Sequence, residues 1–214
     1  MKWIPVKTPG LLKILYKKYT WSFNSHPSKK RIFLTFDDGP IPEITPFILQ
    51  ILSEFKAKAT FFCVGENAKK YPEILKQIEK EGHGIGNHTM NHLKAWKSSD
   101  QEYLQSVQQC QNQLTAVVST PVKLFRPPYG QLSRSKLNKI QKLGYQIILW
   151  DVLPKDWDSE ISSDKCFNNI LKNSVNGSII VLHDNIKSFD HVKYILPKLL
   201  EYYTNKGFTF EIIS

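Results

Sequence analysis

The chain has 214 residues, 41% of them hydrophobic and 12% aromatic, which suits one globular domain with a sizeable core and argues against a disordered chain. Its 29 Lys and Arg against 19 Asp and Glu give a net charge of +10, which favours anionic partners, but no arginine run or zinc-finger spacing points to nucleic acid. The three cysteines, Cys63, Cys110 and Cys166, are odd in number and far apart, which argues against a disulfide framework and a cysteine-based metal site.

Residues 1–21, MKWIPVKTPGLLKILYKKYTW, do not read as a secretory signal, because Pro5, Lys7, Pro9 and Lys13 break the apolar runs and no small-residue cleavage site follows. No stretch approaches the ~18–20 apolar residues of a membrane span. Apolar positions 11, 12, 15, 16 and 19 recur with helical spacing, and lysines fill 13, 17 and 18. This short amphipathic segment is expected to pack across its own domain, with peripheral membrane contact through residues 3–21 as the alternative. Residues 1–28 thus read as an extension ahead of a domain spanning 29–214.

Strand-like segments follow at 31–36, 60–64, 84–87, 123–126, 146–150, 178–182 and 208–213. Amphipathic stretches at 42–55, 72–80, 100–118, 133–143, 162–173 and 190–205 lie between them. The alternation predicts an α/β fold of βα repeats around a parallel sheet, either a barrel or an open doubly wound sheet. Both place ligands beyond the carboxyl ends of the strands. Those ends carry Asp37 and Asp38, His88 and His92, Arg126, then Asp151, Asp156 and Trp157, and finally His183 and Asp184.

The spacing of His88 and His92 puts both imidazoles on one face of a single helical turn. With a carboxylate from Asp37 or Asp38 they would hold one zinc-sized ion and leave positions open for water and substrate. The remaining acid would act as base, with Arg126 holding it ionised and oriented through a bidentate contact. Pro127 and Pro128 predict a rigid turn directly after that arginine.

The motifs TFDDGP (35–40), HTMNH (88–92), RPPYG (126–130), KDW (155–157) and VLHD (181–184), in this order, resemble those of the polysaccharide deacetylases with a NodB homology domain, carbohydrate esterase family 4. The resemblance implies a distorted (β/α) barrel of about seven parallel strands, related to the TIM barrel. It implies Asp37 as catalytic base, Asp38, His88 and His92 as metal ligands, Arg126 as the residue orienting the base, and His183 as general acid tuned by Asp156. The backbone N–H of Tyr129 would bind the oxyanion, Trp157 would wall the groove, Leu182 would help form the acetyl pocket, and Pro127 would line the substrate site. The implied cofactor is one divalent ion, zinc first, with cobalt, nickel or manganese also suitable. The implied reaction is hydrolytic removal of N-acetyl groups from N-acetylglucosamine-containing glycans, peptidoglycan or chitin-type oligomers, releasing acetate. Leu153 and Gly84 depart from common family residues and bear on substrate contacts. His26, His83 and His191 match no motif position and read as structural or surface residues.

Two other functions compete. Two histidines and one carboxylate also suit a non-haem Fe(II) oxygenase, and a glycan-binding pseudoenzyme would keep the groove without the chemistry. A monomer is expected, in the cytoplasm or peripheral on a membrane.

Overall fold

The computed structural model describes residues 5–24 and 28–214; Trp3, in the proposed membrane segment, and His26 lie outside them. Seven parallel strands form one curled sheet: β1 (Arg31–Asp37), β2 (Ala59–Cys63), β3 (Gly84–Asn87), β4 (Leu124–Phe125), β5 (Gln146–Ile147), β6 (Ile179–His183) and β7 (Thr209–Phe210). The order is β5-β4-β3-β2-β1-β6, and β7 pairs with the first two residues of β1. The fold is therefore the expected distorted (β/α) barrel; β5 and β6 do not pair directly, and the seam between them is bridged just after β5, where Val152 pairs in parallel with Ile180.

Strand periodicity divides the core. Successive side chains point to opposite faces of a strand. In β1, Ile32, Leu34 and Phe36 join the large core under the helices, while Phe33 faces inward with Phe62, Leu124, Ile148 and Ile179. Asp37 shares its parity with Phe33, so the strand that buries its apolar residues also delivers a carboxylate to the inner face.

Among the described residues, the helices on the outer face are α2 (Ile44–Glu54), α3 (Gly65–Lys70), α4 (Pro72–Lys80), α5 (Asp100–Thr115), α6 (Arg134–Lys142), α7 (Ser163–Asn173) and α8 (Phe189–Asn205). Serine side chains at 99, 133 and 162 cap α5, α6 and α7, accepting from backbone N–H groups that the first turn leaves unbonded. The pattern did not predict α3, whose six residues are too few to show a helical period.

A further helix, α1 (Gly10–Leu15), buries none of its residues, unlike the expected packing across the domain. The chain around it braces this seam of the barrel. Lys7 bridges to Val152, Thr20 to Ile148 and Ser22 to Ser178. Buried Asp151 fastens this strap: Lys7 Nζ lies 2.6 Å from Oδ2, and Lys13 pairs with Oδ1. Burial opposes the charge of Asp151, but Lys13, Lys7 and Ser178 outweigh it and hold the carboxyl below its ordinary range. Asp151, one of the acids found at a strand end, is thus a structural ion-pair partner.

Candidate functional site

A cavity of about 520 Å³ opens at the carboxyl ends of the strands. Asp37, Asp38, His88, His92, Tyr129, Trp157 and His183 all line it, joined by Ile41, Trp150, Leu153, Asn185, Ile186 and Lys187. Register brings its two sides together: Asp37 on β1 sits opposite His183 on β6.

Asp37 is buried, and Oδ1 accepts from Arg126 Nη1 at 2.6 Å. The contact is single rather than bidentate. The other guanidinium donors go elsewhere: Nε to the Ile148 carbonyl, Nη2 to that of Leu149, while Nη1 also donates to Thr35. The guanidinium carbon lies 4.0 Å from the Phe62 ring centroid. Burial pulls the Arg126 pKa down, and the Asp37 charge and hydrogen bond oppose that fall. The arginine is pinned on all sides and compensates the buried carboxylate.

Asp38 turns out of the strand at φ 91. Its Oδ1 is buried without a hydrogen-bond partner and lies 3.6 Å from His88 Nε2 and 3.3 Å from His92 Nε2. Donors at ~2.0–2.1 Å around a tetrahedral ion stand about 3.3–3.4 Å apart, so the residues fit a zinc-sized cation. The donor states agree. His88 Nδ1 lies 2.7 Å from the Arg126 carbonyl oxygen; a carbonyl only accepts, so Nδ1 donates there and Nε2 is the nitrogen turned toward Asp38. Burial, then the neighbouring His88, lowers His92 to about 4 and keeps its ring neutral. Burial raises Asp38, but His183, His88 and His92 with a hydrogen bond from Asn185 outweigh it and bring it below its ordinary value. The histidines do not share a helical turn. They lie on an irregular loop, with Thr89 and His92 themselves at positive φ, and their ring centroids are 5.1 Å apart.

His183 is oriented from behind. Asp156, fully buried, accepts from the His183 backbone N–H at 2.7 Å and lies 2.9 Å from Nδ1, leaving Nε2 as the uncommitted nitrogen. Burial alone would lower the histidine; the charge and hydrogen bond of Asp156, then Asp38 and Asp37, push it up to about 10 instead. Trp157 packs edge-on against the ring, with centroids 5.1 Å apart. Tyr129 adopts φ 61, its ring lies against His92 and, among the described residues, its N–H finds no acceptor. Positive φ outside glycine recurs around this mouth, at Asp38, Thr89, His92, Tyr129 and Lys155, where backbone strain commonly concentrates at functional sites.

Two proposed substrate contacts do not reach the cavity. Leu182 alternates with His183 on β6, so when His183 faces inward Leu182 faces the helices, where it is fully buried in the core. Pro127 is buried in the turn after β4 and lines no part of the mouth. The apolar wall comes from Ile41, Trp150 and Leu153 instead. His83 is buried and accepts from the Ala59 N–H, and His191 contacts Ser163; neither lines the cavity.

Sequence reasoning missed Asn185, whose Nδ2 donates to Asp38 Oδ2 at 2.6 Å. It also gave no role to Asp184. That carboxylate accepts from the Gly39 N–H at 2.8 Å and from Thr45 at 2.7 Å; burial lifts it to about 8 against those bonds. A side chain at Gly39 would meet Asp184 Oδ2 at 1.8 Å, which explains the glycine in DDGP. Both residues directly follow His183, the only signal that marked them.

A distorted α/β barrel with an Asp-His-His cluster beside an aspartate and a histidine at its mouth defines a class of hydrolytic framework. Residues 24–148 match the family model described as polysaccharide deacetylase, and the chain belongs to that family. A peptidoglycan-N-acetylglucosamine deacetylase of Bacillus cereus is 36% identical over 197 residues, covering 91% of each protein. A chitooligosaccharide deacetylase of Azorhizobium caulinodans is 40% identical over 158 residues, covering 73% of this chain and 75% of its own. A solved peptidoglycan N-acetylglucosamine deacetylase superposes with a TM-score of 0.81 at 36% identity, covering 96% of this chain and 95% of that one.

Proposed function

We propose that this chain removes N-acetyl groups from an N-acetylglucosamine-containing glycan, of the peptidoglycan or chitin type, with a divalent ion held by Asp38, His88 and His92. The observation that carries the reading is the pairing of Asp37 with His183 across β1 and β6 beside that three-residue cluster. When bound, the ion, zinc by preference, supplies Lewis acidity to a water and to the acetyl carbonyl.

The chain's own residues supply the rest. Asp37 takes the proton of the attacking water; Arg126 holds its Oδ1 and leaves Oδ2 outside the ion pair. A C–O bond forms at the acetyl carbon, and the Tyr129 N–H donates to the oxyanion, a contact typically worth a few kcal/mol (about 3). His183 donates its Nε2 proton to the leaving nitrogen as the C–N bond breaks, giving acetate and a free amino sugar. Asp156 acts through His183 as a positioning residue. Trp157 and Leu153 wall the groove around the sugar. An Fe(II) oxygenase would have no use for the Asp37–His183 pair, and a pure binding protein would not need His183 held protonated.

Acetate release from a panel of N-acetylated glycans tests the reading. Chelator-treated protein should be inactive and regain activity with zinc, cobalt, nickel or manganese. Asp37→Asn and His183→Ala should each lose about a hundredfold or more. Unchanged release from both variants refutes the assigned roles.

A further inference from the structure

The six residues of α1 are oriented against the usual rule. Lys13 points inward to the buried carboxylate of Asp151, while Leu11, Ile14 and Leu15 are 66, 63 and 65% exposed. A surface helix normally does the reverse. Tyr16 is half exposed just beyond, and a shallow apolar groove of about 460 Å³ runs from Ile14, Leu15 and Tyr16 to Leu132 and Leu137 at α6.

The rim of this groove is cationic. Lys17, Lys18 and Arg134 line it, and among the described residues none of the three forms an ion pair. The sequence contains no Asp or Glu before Asp37, whereas Lys7, Lys13, Lys17, Lys18, Lys29, Lys30 and Arg31 all precede it. Exposed apolar side chains contiguous within a basic rim mark an interaction face rather than a solvated one. A second copy of this chain is a poor occupant, since a two-fold contact would set Lys17, Lys18 and Arg134 against their own like charges. An anionic surface with an apolar interior matches both features.

We propose that α1 and the groove between it and α6 form a docking face for an anionic phospholipid bilayer, the apolar residues entering the headgroup–acyl boundary and the cations meeting lipid phosphates. The strap through Asp151 then serves a second purpose, because it fixes the apolar face outward on a rigid barrel. The inference does not depend on the deacetylase reading.

Vesicle co-sedimentation tests it with the full chain. Vesicles of phosphatidylcholine with phosphatidylglycerol should carry the protein down at low salt, and pure phosphatidylcholine should not. Lys17→Gln with Arg134→Gln should weaken binding by about 30-fold. Ile14→Ser with Leu15→Ser should abolish it at any salt. Circular dichroism should show unchanged melting for both double variants, since none of these side chains is buried. Absence of sedimentation with the anionic vesicles, or equal binding by all variants, overturns the proposal. So does a dimer in sedimentation velocity that Ile14→Ser with Leu15→Ser dissociates, which would give the face to a second copy.

Discussion

Replacing Asp156 by asparagine isolates what holds the proton on His183. The carboxylate meets two donors at once, the backbone N–H at 2.7 Å and Nδ1 at 2.9 Å. An asparagine has only one accepting oxygen, so its NH2 must face one of those donors, and the charge is lost. Burial lowers His183, yet the surrounding carboxylates raise it from 6.5 to about 10. That rise corresponds to about 5 kcal/mol in favour of the imidazolium. Asp156 is the first of the raising groups, and a cation bound at Asp38 would offset the contribution of Asp38. Most of the remaining shift therefore rests on Asp156. Asp156→Asn should move the alkaline limb of kcat/KM for acetate release down by about 2 pH units or more. Stability should follow the same group. A histidine raised in the folded state stabilises fully below about pH 6.5, and that contribution is lost as pH rises through about 10. The melting gap between wild type and variant should therefore be widest near pH 6 and shrink toward pH 10. An alkaline limb that stays in place in Asp156→Asn refutes the reasoning, whatever happens to the melting temperature.

Asn185→Ala should weaken zinc binding to the metal-free protein by about 10–100-fold in calorimetry, because Asp38 Oδ2 loses the donor that turns Oδ1 toward the histidines. Arg126→Met should cost about 3–5 kcal/mol in denaturant unfolding, since it leaves the Asp37 carboxylate buried beside an apolar chain; Arg126→Lys should not rescue it, as one ammonium cannot serve Asp37, Thr35, Ile148 and Leu149 together. Asp184→Asn should be most destabilising at acid pH. The raised Asp184 contributes fully below about pH 4, and that contribution is lost as pH rises through about 8, so the melting difference from wild type should narrow over that window.

The parallel α/β architecture was legible in the residue pattern, because apolar strands alternating with amphipathic helices have few other ways to bury both faces of a sheet. It also marked which strand ends carry acids, imidazoles and the arginine, since ligands of such folds gather there. The details of side-chain direction belonged to the tertiary structure. Leu182 and His183 are neighbours in the chain, and only the observed parity of β6 sends one to the helical core and the other to the cavity. The spacing of His88 and His92 fits a helical turn equally well, but hydrogen bonds donated by the Thr89 N–H to Asn87 Oδ1 and by the Leu93 N–H to Thr89 Oγ1 fold an irregular loop instead. Asn185 and Asp184 became visible only when β6 was laid beside β1, because their partners lie 147 and 145 residues away. Likewise, the apolar period of residues 11–19 reads as a face seeking a core, and it is the distant charge of Asp151, capturing Lys13, that turns those leucines outward.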